Sequence, residues 1–231
     1  MNEVLRREEK YLICLTDYYR LSRKLGRLMQ ADPHNRDEGY PVRSLYFDSL
    51  DDRDFSEKED GVELRRKLRL RCYGPESDVA TLEMKQKEGN LQLKRSVRLE
   101  RDAAIRLTHG DYAPLLNCTE PFALECYALM QTHCYLPRSV VEYRRLAFMA
   151  EENNTRITFD HKIAATEANF DIFDPKLPLY PVFGQELAVL EVKYNGFLLS
   201  YIKDLLREVD GSTLSVSKYI QSRSVGKHLH F

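Results

Sequence analysis

The chain has 231 residues, 43% of them hydrophobic, with 35 Lys and Arg against 36 Asp and Glu and a formal net charge of −1. That length suits one sizeable core in a single domain over 1–231, and the even charge balance excludes a general nucleic-acid binder, which is basic overall. Five cysteines, odd in number and without a CxxC pair, exclude a disulfide framework and a zinc site and read as small buried residues of a reduced, cytoplasmic protein.

Val4–Cys14 reads as the first strand, with Arg6, Glu8 and Lys10 on one face and Arg7, Glu9, Tyr11 and Ile13 on the other. Met1–Arg7 leads straight into charge rather than into a signal peptide. No apolar run approaches the roughly 20 residues that span a bilayer, so any membrane association requires a partner protein. Thr16 offers an N-cap to a helix reaching about Gln30, with Tyr18, Leu21, Leu25 and Leu28 at helical spacing. After a loop over 31–41, Val42–Asp48 is a second strand, with Tyr46 and Phe47 as core. The acidic stretch Asp51–Asp60 follows and ends at Gly61.

The most charged strand is Arg65–Tyr73. Its period of two sets Arg65, Lys67, Arg69, Arg71 and Tyr73 opposite Leu64, Leu68, Leu70 and Cys72. Four cations in one row repel each other, a cost that a polyanion against the row would offset. In Thr81–Lys87, Glu83, Lys85 and Lys87 oppose Leu82 and Met84. Past a turn at Lys87–Asn90, Leu93–Glu100 sets Lys94, Ser96, Arg98 and Glu100 against Leu93, Val97 and Leu99, with Arg95 the exception on the apolar side.

Ile105–Tyr135 reads as mostly helical, with Leu107, Leu115, Leu116, Phe122, Leu124, Tyr127, Leu129 and Met130 in the core and Glu125 on a solvated face. Strands Arg138–Met149 and Thr155–Ile163 flank a turn at Glu151–Asn154. They carry Arg145 beside Tyr143, and Arg156, Thr158 and Asp160 on one face. A proline-rich loop over Phe170–Phe183 leads to the strand Ala188–Asn195, where Glu191 and Lys193 oppose Leu190, Val192 and Tyr194. A helix over Leu198–Val209 and a short final helix with Ser217, Lys218 and Tyr219 close the chain. His34, His109 and His161 read as hydrogen-bonded or surface residues. His228 and His230 have a metal-like i, i+2 spacing but sit at a terminus.

Two architectures satisfy this alternation: an antiparallel sheet with one wet face, or a closed barrel with one set of side chains inside. For any one strand a solvated face explains the charge equally well. The recurrence of Glu-x-Lys at 8/10, 83/85 and 191/193 favours function. On a strand this spacing points both side chains into one space, where the carboxylate can hold a divalent metal and the ammonium a phosphate oxygen.

The ordered segments REEKYL (7–12), SLYFD (44–48), K-x-R-x-R-x-Y (67–73), LEMK (82–85), LKRSVR (93–98), YRRLAF (143–148), RITFD (156–160), LEVKY (190–194) and SKY (217–219) resemble the VTC (vacuolar transporter chaperone) domain. These are polyphosphate polymerases of the triphosphate tunnel metalloenzyme superfamily. The resemblance implies an α+β fold in which an antiparallel β-barrel forms a triphosphate tunnel with flanking helices. It implies transfer of the γ-phosphoryl of ATP to a growing polyphosphate chain, with ATP and polyphosphate as partners. By the same resemblance Lys10, Arg69, Arg71, Lys85, Lys94, Arg145, Arg156 and Lys218 line the tunnel, and Lys67, Arg98 and Lys193 are further substrate-binding positions. Glu191 is the main carboxylate for Mn2+ (or Mg2+). Glu83 and Glu8 are second carboxylates, with Glu8 alternatively the structural partner of an arginine.

One stretch, Asp51–Leu64, departs from the eukaryotic pattern, which has a further basic residue there; Lys58 or Arg65 can supply it. The phosphoinositide-type regulatory module and the membrane segments of the eukaryotic complex are not found in the sequence. Two other readings of such a chain are a hydrolase of triphosphate or nucleoside triphosphate on the same fold, and a polyphosphate-binding module without turnover. An RNA-binding barrel is disfavoured, because aromatic residues do not interleave with the basic rows as stacking platforms do.

Overall fold

A computed structural model describes residues 6–89, 91–209 and 217–223; Val4, Asn90, His228 and His230 lie outside the described residues. In chain order the elements are β1 (Arg6–Cys14), α1 (Leu15–Leu28), β2 (Gln30–Ala31), β3 (Tyr40–Asp48), α2 (Arg53–Glu59), β4 (Leu64–Cys72), β5 (Val79–Glu88) and β6 (Leu91–Glu100). They continue with α3 (Arg101–Thr108), a 3-10 turn (Ala113–Asn117), α4 (Pro121–Thr132), β7 (Leu136–Ala150), β8 (Thr155–Thr166), β9 (Tyr180–Pro181), β10 (Leu187–Asn195), α5 (Ser200–Arg207) and α6 (Lys218–Ser222).

Two compact units divide the chain: one of Met1–Pro41, Tyr143–Ile163 and Phe183–Ser217, the other of Val42–Glu142, Ala164–Val182 and Lys218–Phe231. In the first, β1 and β8 flank β10, both antiparallel to it. Alternation sends Ile13, Ile157, Phe159, Leu190, Val192 and Tyr194 to one face. There they form a buried cluster with Tyr18, Leu21 and Leu25 of α1 and Ile202 of α5. Each such side chain contributes about 1.5–3 kcal/mol on full burial.

The expected Thr16 cap is not formed. Helix α1 starts at Leu15, whose N–H donates to the Glu186 carbonyl at 2.8 Å, and no side chain caps it. The helix stops at Leu28 because Gln30–Ala31 pair with Phe148–Met149 as β2, and this leaves Leu28 54% exposed instead of in the core.

In the second unit β3, β4, β5 and β6 pair successively and antiparallel. Their apolar side chains (Leu45, Phe47, Leu68, Leu70, Leu82, Met84, Val97 and Leu99) are buried with Leu107 of α3 and Cys126 and Met130 of α4. The expected helical run breaks in three, with a proline in the 3-10 turn and Pro121 opening α4. The break turns Leu116 and Leu124 outward, so neither joins the core. Cys72 and Cys126 are buried as expected, whereas Cys14 and Cys134 are exposed.

Hydrogen bonding orders the strands β1-β10-β8-β7-β3-β4-β5-β6, with β2 on β7 and β9 on β8. This ten-stranded sheet with flanking helices is the expected α+β class. The closed hydrogen-bonded barrel is not found: among the described residues the path is open, ending at β1 and β6. On β6 the exposed Lys94 and Arg98 charge the edge, which discourages strand addition. Among the described residues no helix is long and apolar enough to cross a membrane.

Candidate active site

On the polar face of the first unit the Glu-x-Lys pairs of β1 and β10 run antiparallel, so Lys10 lies opposite Glu191 and Glu8 opposite Lys193. Glu8 is 2.7 Å from Lys10 and 3.7 Å from Lys193; Glu191 is 3.1 Å from Lys193 and 3.5 Å from Lys10. Among the described side chains Glu8 is partnered by lysines. The Glu191 side chain is 9% exposed against 26% for Glu8, which makes it the more enclosed carboxylate. Burial opposes charge on Lys10, but Glu191 and Glu8 outweigh it and hold the ammonium pKa above its ordinary value.

Two arginines of this unit are each oriented by an acid. Arg145 donates from Nε and Nη2 to the two oxygens of fully buried Asp160, at 2.7 and 2.8 Å. Burial disfavours the Arg145 charge, yet Asp160 more than compensates and raises its pKa. Arg156 donates to Asp32 at 3.0 Å and to the Tyr40 hydroxyl at 3.3 Å. A planar fork held this way has a fixed direction, which a lone lysine does not.

In the second unit the polar face of β4, β5 and β6 is a set of cross-strand rows: Arg65–Lys87–Gln92, Lys67–Lys85–Lys94, Arg69–Glu83–Ser96 and Arg71–Thr81–Arg98. At about 3.3 Å per residue the cations from Arg65 to Arg71 span roughly 20 Å. Arg65 thus extends the row, while Lys58 lies in the last turn of α2. At the centre is Glu83, 1% exposed. Its Oε2 accepts from Arg69 Nε and Nη2 at 2.8 and 2.7 Å, and its Oε1 lies 2.8 Å from Arg71 Nη2 and 2.7 Å from Lys94 Nζ. Burial pushes the Glu83 pKa up, but Arg69, Arg71 and Lys94 outweigh it and bring it down to about 2. Arg95 on the opposite face pairs with Glu125 of α4 and lies over the Phe122 ring, so Glu125 is more than a solvated position.

Lys218 opens α6, a short helix pinned at several points. The Tyr219 hydroxyl donates to Asp48 at 2.5 Å, Arg223 donates to both oxygens of Asp52 at 2.8 and 2.9 Å, and Ser222 bonds Ser139 at 2.7 Å. Tyr46 is buried as expected, but it stacks on Tyr219 with ring centroids 5.1 Å apart instead of joining Phe47 in the apolar cluster. Lys67 lies 5.7 Å from the Tyr219 centroid. Asp48 also accepts from the backbone N–H of Asp54 and Phe55, which fixes the start of α2.

Of the residues singled out in the sequence, Glu8, Lys10, Arg145, Arg156, Glu191 and Lys193 gather in the first unit. Lys67, Arg69, Arg71, Glu83, Lys85, Lys94, Arg98 and Lys218 belong to the second. Sequence reasoning missed the orienting partners Asp32, Asp48, Asp160 and Tyr219. Two signals were present: Asp160 shares a period-two face with Arg156, and Tyr219 adjoins Lys218. His161 is hydrogen-bonded to the Glu38 carbonyl at 3.0 Å, which accounts for its ring.

The donor chemistry of Glu8 and Glu191 fits a divalent ion. Mg2+ and similar hard cations take one or two carboxylates and complete their shell with phosphate and water oxygens. Among the described residues no group of three or more His, Cys, Asp or Glu side chains is placed to hold a metal by itself. The pair therefore suits an ion that arrives with phosphate. Glu83, the other carboxylate expected at a metal, has both oxygens engaged by cations.

The family model of the VTC domain matches residues 5–226. The sequence has no match among curated proteins. Among solved structures, a candidate adenylate cyclase from Bacillus halodurans is similar with a TM-score of 0.55 at 12% identity, over 94% of this chain and 95% of its own. A candidate adenylyl cyclase from Hippeastrum, described as having a dominant triphosphatase activity, has a TM-score of 0.52 at 14% identity, over 94% of each chain. A candidate adenylate cyclase from Vibrio parahaemolyticus has a TM-score of 0.50 at 12% identity, over 96% of this chain and 99% of its own. At these identities the likeness is one of fold.

Proposed function

The chain belongs to the VTC-domain family, and from that premise we propose that it transfers the γ-phosphoryl group of ATP to the end of a polyphosphate chain. In this reaction a terminal oxygen of the acceptor attacks the γ-phosphorus, the bond to the β,γ-bridging oxygen breaks, and ADP leaves with that oxygen. The observation that carries the reading is the polar face of the second unit, where Lys67, Arg69, Arg71, Lys85, Lys94 and Arg98 surround one buried carboxylate. Phosphoryl transfer asks the protein mainly for positioning and charge neutralisation, and such a face supplies both. Arg69 and Arg71 offer planar donors to phosphate oxygens, and the lysines act as compact charges.

In the first unit Lys10 and Lys193 can turn from their carboxylates to phosphate oxygens. Glu191 and Glu8 would then hold Mn2+ or Mg2+, which when bound neutralises phosphate charge. Arg145 and Arg156, already aimed by Asp160 and Asp32, add oriented charge without reorganisation.

A second reading, hydrolysis of triphosphate or a nucleoside triphosphate, draws support from the triphosphatase described for the Hippeastrum protein of similar fold. It needs a carboxylate able to take a proton from water. Glu83 is a weak base, its pKa brought down to about 2 by Arg69, Arg71 and Lys94, and Glu8, Glu191 and Asp160 each contact a cation, which favours an acceptor that is already anionic. The test is to incubate the protein with ATP and Mn2+ while following ADP, phosphate and long-chain polyphosphate together. The proposal expects ADP matched by polyphosphate with little phosphate, and loss of both products in Glu191→Ala by at least about a hundredfold. ADP matched by phosphate transfers the assignment to the hydrolase, and binding of polyphosphate without turnover leaves a binding module.

A further inference from the structure

We infer that Glu83 is a built-in counter-anion of the phosphate-binding face, which aligns Arg69, Arg71 and Lys94 and weakens their grip on phosphate enough for the anion to leave. The inference rests on reading the polar face of β4–β6 as a phosphate site, and it departs from the metal-ligand role that the sequence suggests for this residue.

Three observations carry it. Glu83 is 1% exposed, and both oxygens are engaged: Oε2 by the Arg69 fork, Oε1 by Arg71 and Lys94. An arriving metal ion would have to approach through three positive charges and displace the two N–H donors that Arg69 places on Oε2. Each of the three cations comes from a polar-face position, Arg69 and Arg71 on β4 and Lys94 on β6, with Glu83 between them on β5. A carboxylate in the middle strand is thus the one anion that can reach both neighbours. Finally, the cluster differs from the Glu8–Lys10–Glu191–Lys193 group of the first unit, where two carboxylates meet two flexible ammoniums. That arrangement can exchange partners with an incoming ion, whereas Glu83 is held by two guanidinium groups, Arg69 with two N–H groups on one oxygen and Arg71 on the other, and by a single ammonium, that of Lys94.

The physical consequence is a trade between affinity and turnover. Arginines without a counter-anion would bind any phosphate chain tightly, ground state and transition state alike, and uniform binding of this kind slows release without lowering the barrier. Glu83 competes with the ligand for the same donors and keeps them aimed. Glu83 is therefore a positioning residue whose loss separates binding from catalysis.

The experiment measures calorimetric binding of tripolyphosphate in the presence of a chelator, binding of Mn2+ alone by its electron paramagnetic resonance signal, and KM and kcat for ADP formation from ATP. Wild type, Glu83→Gln and Glu83→Asp are compared. For Glu83→Gln the expected result is tripolyphosphate binding roughly tenfold tighter, a lower KM, kcat reduced at least about tenfold, and Mn2+ affinity unchanged. Glu83→Asp keeps the charge but withdraws it by one methylene. It should hold tripolyphosphate within about twofold of wild type while kcat falls about fivefold. If Glu83→Gln does not fold, the Asp variant decides, since a purely structural or metal-holding carboxylate predicts no such split. Loss of Mn2+ affinity in either variant, or kcat unchanged in a folded one, overturns the inference. Absence of tripolyphosphate binding by the wild type overturns instead the phosphate-site reading on which it stands.

Discussion

A carboxylate with no solvent exposure needs a cation or hydrogen-bond donors on its oxygens, and Asp160 has the Arg145 fork on both of its own. Removing one partner of such a pair leaves the other buried and uncompensated. Asp160→Asn is therefore expected to lower unfolding free energy by about 3 kcal/mol, seen as a lower urea midpoint at unchanged slope. An unchanged midpoint would show that solvent or another acid already satisfies Arg145. Alternation along Arg156–Asp160 made the charged face legible in the sequence. The pairing of Asp160 with Arg145 was not legible, because it depends on how β7 and β8 are registered, and a period of two carries no register. For the same reason the three cations around Glu83 were not legible: they come from β4 and β6 and are assembled only by strand pairing.

At the scale of elements, α2 shows how a strongly acidic segment becomes ordered. The Asp48 carboxylate at the end of β3 accepts from the N–H groups of Asp54 and Phe55, a negative charge at a helix start. Asp54 itself is 1% exposed, with the Tyr135 hydroxyl donating to both oxygens at 2.9 Å, Arg66 at 3.8 Å and Asp48 and Glu57 as neighbouring acids. Burial first, and then the Asp48 charge, push its pKa up to about 7. The sign follows directly: between about pH 4 and 7 the folded protein holds a proton that the unfolded chain has released. Asp54 thus makes stability fall as pH rises through that window and leaves it level above. The ceiling on this contribution is about 4 kcal/mol for a three-unit gap, and relaxation reduces it. Asp54→Asn should flatten the fall in urea midpoint between pH 5 and 8; an identical slope in the variant would contradict the assignment.

Helix boundaries were the least legible feature at this scale. The start of α1 is set by the Glu186 carbonyl, distant in sequence, and its end by pairing of β2 with β7. Strands were read more surely, since charge on one face and leucine or valine on the other mark them locally. Leu116 and Leu124 were misplaced because a helical period was continued through Pro114 and Pro121, which reset it.

Over the whole molecule, a net charge of −1 conceals rows of cations on the polar faces of the strands. The carboxylates Glu8, Glu83, Asp160 and Glu191 contact the cations of these faces. This distribution suits an anionic donor and an anionic acceptor, and the choice between acceptor and water is the central question for the fold. It is tested most directly by running turnover of ATP in water enriched in oxygen-18 and measuring the isotope in all phosphorus-containing products. Transfer to polyphosphate predicts that ADP forms while the transferred phosphorus gains no solvent oxygen. One oxygen-18 atom in inorganic phosphate for each ADP released would contradict the account and make the protein a hydrolase.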